Sequence, residues 1–133
     1  MTSPLDNMTG PGKMLSKEPA DSREFQGLVH SGQARLKDAA NTDNSLEGRF
    51  DLVYNAAHAL CLAALRWHGY RPANRYIVFQ VLPHTLGLGP EVWRVLAKGH
   101  EVRNLSEYEG MQNVEKRLVE DLVAEAVDKL SLP

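Results

Sequence analysis

Leu46, Phe50, Val53, Ala57, Leu60, Ala64 and Trp67 recur alternately four and three residues apart. That spacing is the seam of one long helix packed along its length against a partner. The flanking Ala56, Ala59, Cys61, Leu62, Ala63 and Leu65 are also apolar. A helix apolar on nearly every side must be surrounded by protein, so it belongs at the centre of a helical bundle. Asn44 and Glu47 stand at capping-box spacing before it, with Asn replacing the usual Ser or Thr. Gly69 ends it, and Pro72 delays any restart until Asn74.

The rest of the chain follows the same period. Phe25, Leu28, Val29, Gly32, Leu36 and Ala39 imply a helix from Asp21 to Ala40, capped by Asp21 or Ser22. Pro90 after Gly89 opens another, with Val92, Val95, Leu96, Gly99, Val102 and Ser106 on one face and Gly110 closing it. A last helix runs from Asn113 to Leu130 with the stripe Leu118, Leu122, Ala126 and Leu130. Tyr76 to Leu82 has strand propensity, but no other segment offers it a partner, and a lone strand leaves its backbone unpaired. We read it as a short helix ending or kinking at Pro83. The expected fold is all-α, an antiparallel up-and-down bundle of about four or five helices without a sheet. Residues 1–20, rich in Pro, Gly, Ser and Lys and without periodicity, should form a flexible tail, and 21–133 the single domain.

Charge and cysteine usage narrow the function classes. The formal net charge is -2, so an overall basic nucleic-acid binder is not indicated, although a local patch is compatible with it. The single Cys61 can form neither an internal disulfide nor a thiolate zinc site, which fits a reducing compartment. No signal-peptide core and no membrane-length apolar run occurs, so a cytoplasmic location is expected.

Polar residues on the core-bordering faces carry what chemistry there is. Leu96, Gly99, Arg103 and Ser106 lie three or four apart, which places Arg103 beside the core rather than at the solvent pole. An arginine there needs acceptors or an anion. Asp51, Asn55 and His58 form a matching polar stripe on the second helix, next to Tyr54. Two readings follow: an Arg103–Asp51 ion pair that fixes helix register, or a pocket for phosphate or nucleotide. Spacing alone favours the ion pair.

The segment "GHEVRNLSEYEG" resembles the Arg-Asn-x-x-x-Tyr segment of HEPN domains, the higher eukaryotes and prokaryotes nucleotide-binding superfamily. "DLVYNAAHALCLAALRWHGYRP" is similar to that family's long alanine-rich second helix, and "NRYIVFQVLPHTLGLG" to its connecting segment. The resemblance implies a helical bundle, usually a homodimer, in which Arg103 holds a phosphate, Asn104 supports it, and Asp51 or Asn55 orients Arg103. It implies roles ranging from metal-independent endoribonuclease to a nucleotidyltransferase-paired member of a toxin–antitoxin module, or a ligand-binding or scaffold protein. The nuclease motif places a histidine shortly after the arginine. Here that place is taken by Tyr108, and no histidine follows Arg103. Histidine titrates near neutrality, whereas tyrosine, with a pKa of about 10, is a poor base at pH 7. The expected function is therefore binding of a nucleotide, RNA or partner protein without catalysis. The alternatives are an endoribonuclease using Arg103 with a non-standard acid or base, and a structural dimer without a ligand.

His58 and His100 are the available replacements for the missing histidine. Their plainer readings are a hydrogen-bonded buried histidine and an exposed helix residue. "RWHGYRPANR" interleaves Arg66, Arg71 and Arg75 with Trp67, His68 and Tyr70, a pattern that suits single-stranded nucleic acid but more often covers a bundle end. His30, His58, His68, His84 and His100 show no ligand spacing for a metal. No phosphate-loop or dinucleotide fingerprint is present, so neither metal nor cofactor is expected.

Overall fold

The computed structural model describes residues 4–109 and 115–130, the side chains of 105–109 excepted. Long helices dominate it. Helix α1 spans Ser22–Ala40 and α2 Leu46–Trp67. Two single-turn helices follow, α3 (Ile77–Gln80) and α4 (Leu82–Thr85). Helices α5 (Pro90–Glu109) and α6 (Lys116–Lys129) complete the bundle. The expected all-α bundle is what the chain adopts.

Helix α2 is the axis, in contact with α1, α3, α4, α5 and α6. Phe50, Val53, Leu60, Cys61 and Leu65 are at most 1% exposed, which accounts for the near-continuous apolar surface of this segment. Each large side chain so buried contributes on the order of 1.5–3 kcal/mol. The partner stripe of α6 is Val119, Leu122, Ala126 and Leu130, with Leu118 only half-buried. Gly32 lets α1 approach α2 closely, since a Cβ there would stand 2.7 Å from Leu60 Cγ.

The helix starts are locally encoded. Asp21 caps α1 by accepting from the backbone N–H groups of Arg23 and Glu24. Ser45, not Asn44, caps α2 by accepting from the Gly48 N–H at 3.0 Å. Asn44 instead donates from Nδ2 to the Asp38 carbonyl, closing the α1–α2 turn. The buried Arg49 reaches back to the Ala39 carbonyl at 2.8 Å and locks the same corner. Within Tyr76 to Leu82 the short helix expected is Ile77–Gln80, but Pro83 sits in the first turn of α4 and starts a helix there.

Three expectations are corrected. Part of the segment expected to be a flexible tail packs on the bundle: among its described residues, Leu5 and Leu15 are buried in the core, as apolar side chains are when a core surface is within reach. A sheet exists, though a small one: β1 (Leu15–Lys17) pairs antiparallel with β2 (Tyr70–Pro72), Ser16 opposite Arg71. The strand after Gly69 finds its partner in the segment expected to be a tail. Trp67, the last member of the seam, is 65% exposed, while its neighbour Arg66 is 1% exposed. At that end of α2 the inward position is occupied by the guanidinium, and the Trp67 indole rests against the Phe25 ring, centroids 5.0 Å apart. The expected closure at Gly110 and start at Asn113 lie outside the described residues.

Candidate functional site

Three elements bring polar groups together on one side of the bundle: the middle of α2, the turn entering α3, and the second half of α5. From α2 come Tyr54 and Asn55, which lie four and three residues before His58 and so flank it on the helix surface. Arg75 and Tyr76 come from the turn, whose shape is set by Asn74 Oδ1 accepting from the N–H groups of Tyr76 and Ile77. His100, Arg103 and Asn104 come from α5.

Asn55 is the hub. Its Nδ2 donates to the Asp51 carbonyl at 2.8 Å, which turns Oδ1 outward from the helix. That single oxygen accepts from Arg103 Nη1 at 3.4 Å and from Arg75 Nη2 at 3.3 Å. Both guanidiniums also stand over the Tyr54 ring, at 5.0 Å for Arg103 and 5.9 Å for Arg75. Two like charges thus converge on one neutral amide and one ring face. Among the described residues Arg75 has no carboxylate partner.

The histidines are held in different ways. The Tyr54 hydroxyl lies 2.8 Å from His100 Nδ1, and Asn104 Nδ2 lies 3.1 Å from His100 Nε2. An amide nitrogen can only donate, so Nε2 accepts, and in the neutral ring Nδ1 donates to the Tyr54 oxygen. Tyr76 stacks on the same ring, centroids 4.6 Å apart. His58 packs edge-on to Phe79, with Nε2 buried and without a hydrogen-bond partner. Burial, then the positive charges of Arg75 and Arg103, then His100 push His58 down to about 4. It is therefore neutral at pH 7.

Arg103 was expected toward α2 within reach of Asp51 or Asn55, with an Arg103–Asp51 ion pair favoured; it lies against α2, and its Nη1 donates to Asn55 Oδ1. Asp51 is an exposed residue whose carbonyl anchors Asn55. His58 is not the hydrogen-bonded buried histidine expected, and His100 is not a plain exposed residue. The side chain of Tyr108 lies outside the described residues. Arg75 was read only as part of a basic stretch, and its place here depends on the Asn74 turn. The rest of that stretch is divided. Arg66 and Arg71 are held by Glu18 and Glu24, and Tyr70 is buried. Among the described residues no group of His, Cys, Asp and Glu is placed to hold a metal ion.

No helix among the described residues is long and apolar enough to cross a membrane. Comparison with protein-family models, curated proteins and solved structures gave no match.

Proposed function

We propose that this chain is a HEPN-like helical protein that binds the phosphate of a nucleotide or RNA at Arg75 and Arg103 and does not turn it over. The observation that carries this reading is the convergence of both guanidiniums on Asn55 Oδ1. An anion placed between them relieves their mutual repulsion and accepts charge-assisted hydrogen bonds from both. Asn55 and the Tyr54 face hold the two cations in position before the anion arrives, which lowers the ordering cost of binding.

The histidines favour binding over catalysis. A general acid must carry a proton at working pH, and His58 with a pKa of about 4 does not. Both ring nitrogens of His100 already have partners. The apolar flanks of α2 are largely covered within one chain, so the homodimer rests on the family resemblance alone.

Equilibrium binding of adenosine monophosphate to wild type and to Arg75→Gln/Arg103→Gln tests the proposal. Saturable binding by wild type that weakens at least about tenfold in the double variant supports it, since losing one charged hydrogen bond is worth about 1.5–3 kcal/mol. Equal binding by both proteins overturns it.

A further inference from the structure

A groove of about 440 Å³ runs along the outer side of α5, lined by Tyr76, Trp93, Arg94, Ala97, Lys98, His100, Glu101 and Asn104. Its size is within the range of small-ligand sites. A second hollow of about 320 Å³ adjoins it and shares Trp93 and Arg94. The first groove meets the arginine cluster at Tyr76 and His100, because Arg75 directly precedes Tyr76, and His100 hydrogen-bonds the tyrosine beneath both guanidiniums.

We propose that this groove holds a base of a single-stranded nucleic acid, with the flanking phosphates on cationic rims at its two sides. The proposal rests on the phosphate-binding reading of Arg75 and Arg103. Three features carry it. The walls are aromatic: the stacked Tyr76–His100 pair, 4.6 Å between centroids, and the half-buried Trp93. Ala97 between them leaves room for a flat ring to approach α5, and base–aromatic stacking tolerates any sequence. The Asn104 amide stands at the groove as a hydrogen-bonding group for a base edge.

The second feature is charge on both sides. Arg75, next in sequence to the wall residue Tyr76, is assigned as one rim. Arg94 and Lys98, four residues apart on α5, mark the other. Arg94 has no ion-pair partner among the described residues, and Lys98 meets Glu101 only at 3.8 Å with both side chains largely exposed, a contact that a phosphate displaces at little cost. A free mononucleotide has phosphate on one side of its base. A nucleotide inside a strand has phosphate on both, and only the strand uses both rims. The third feature is continuity: the adjoining hollow past Trp93 extends the track beyond the room one base needs.

The two tryptophans of the chain supply the test. Trp67→Phe leaves Trp93 as the sole indole and the groove intact. This protein is titrated with single-stranded RNA of about eight nucleotides, the matching DNA and adenosine monophosphate, following Trp93 fluorescence. Saturable quenching by the strand, at an affinity at least about tenfold above that of the mononucleotide, is expected. Equal strengths of RNA and DNA mean readout through base and phosphate, and a preference for RNA adds contact to the 2′-hydroxyl; both fit. Arg94→Ala/Lys98→Ala should weaken strand binding about tenfold or more, flatten its salt dependence by about one unit of log–log slope, and leave mononucleotide affinity and the melting curve unchanged. Strand binding without a change in Trp93, or with no effect of the Arg94/Lys98 variant, overturns the proposal. Failure of the underlying reading looks different: Arg75→Gln/Arg103→Gln then binds strand and mononucleotide as wild type does, which removes one rim and the proposal with it.

Discussion

Tyr54 on α2 and His100 on α5 meet at 2.8 Å, hydroxyl oxygen to Nδ1, and this bond joins the two helices beneath both arginines. Tyr54 is only 2% exposed, so its hydroxyl has little access to water. Tyr54→Phe should cost about 1 kcal/mol, because it leaves a half-buried imidazole N–H without its acceptor. Urea unfolding measures this. An unchanged midpoint and slope would show that the bond does not tie α2 to α5.

Two glycines of α1 separate propensity from packing. A Cβ at Gly27 meets nothing within 4 Å, whereas at Gly32 it meets Leu60 Cγ at 2.7 Å. Gly27→Ala should stabilise by up to about 1 kcal/mol, the helix-propensity difference. Gly32→Ala gains the same term but overpacks the α1–α2 contact, so it should be less stable than Gly27→Ala by about 1–3 kcal/mol. Equal stabilities in thermal unfolding would contradict the close approach.

The central helix was legible because its period is set by burial on every side, from Phe50 through Leu65. The direction of Arg103 toward α2 was legible for a related reason: its offset from Leu96 and Gly99 fixes its side of α5. The buried Leu5 and Leu15 were not legible, since isolated apolar residues in a Pro- and Gly-rich stretch have no period. Nor was Arg66, whose burial depends on acceptors far away in sequence. Its guanidinium donates to the carbonyls of Glu18, Pro19 and Tyr70 and to the Glu24 carboxylate. The Arg75 half of the site was hidden in the same way, by a turn whose geometry appears only once Asn74 folds over the start of α3.

That Arg66 cluster gives an acid-sensitivity prediction. Hydrogen bonds from Arg71, then from Arg66, hold the Glu24 carboxyl below its ordinary 4.5, and Arg71 does the same for Glu18. A carboxylate with a depressed folded pKa contributes stability above its unfolded pKa and loses it as pH falls through the folded value. Stability should therefore decline below about pH 4.5, and Glu24→Gln should lower stability at pH 7 while flattening that decline. Arg66→Met should cost about 1–3 kcal/mol, because it removes a donor from the Glu18, Pro19 and Tyr70 carbonyls. Parallel acid-unfolding curves for wild type and Glu24→Gln would contradict the first statement, and a neutral Arg66→Met the second.

Purified protein should lack efficient metal-independent ribonuclease activity near pH 7. A well-placed acid or base is worth about 10²–10⁴ in rate, and His58 and His100 are poorly suited to the role. The assay uses labelled single-stranded RNA with chelator present, comparing wild type with Arg103→Ala, His58→Ala and His100→Ala. Robust cleavage that disappears in the Arg103 variant would show an enzyme, and dependence on His58 or His100 would identify its histidine.

The central claim is that Arg75 and Arg103 together hold a phosphate. Side-chain NMR of the arginine Nε–Hε groups during titration with adenosine monophosphate tests it most directly, because Arg66 and Arg71, committed to Glu18 and Glu24, serve as controls in the same molecule. The account predicts saturable shifts of Arg75 and Arg103 with one common dissociation constant, while Arg66 and Arg71 stay in place. Shifts spread without saturation over all exposed arginines, or saturable shifts that leave Arg75 and Arg103 unmoved, would contradict it.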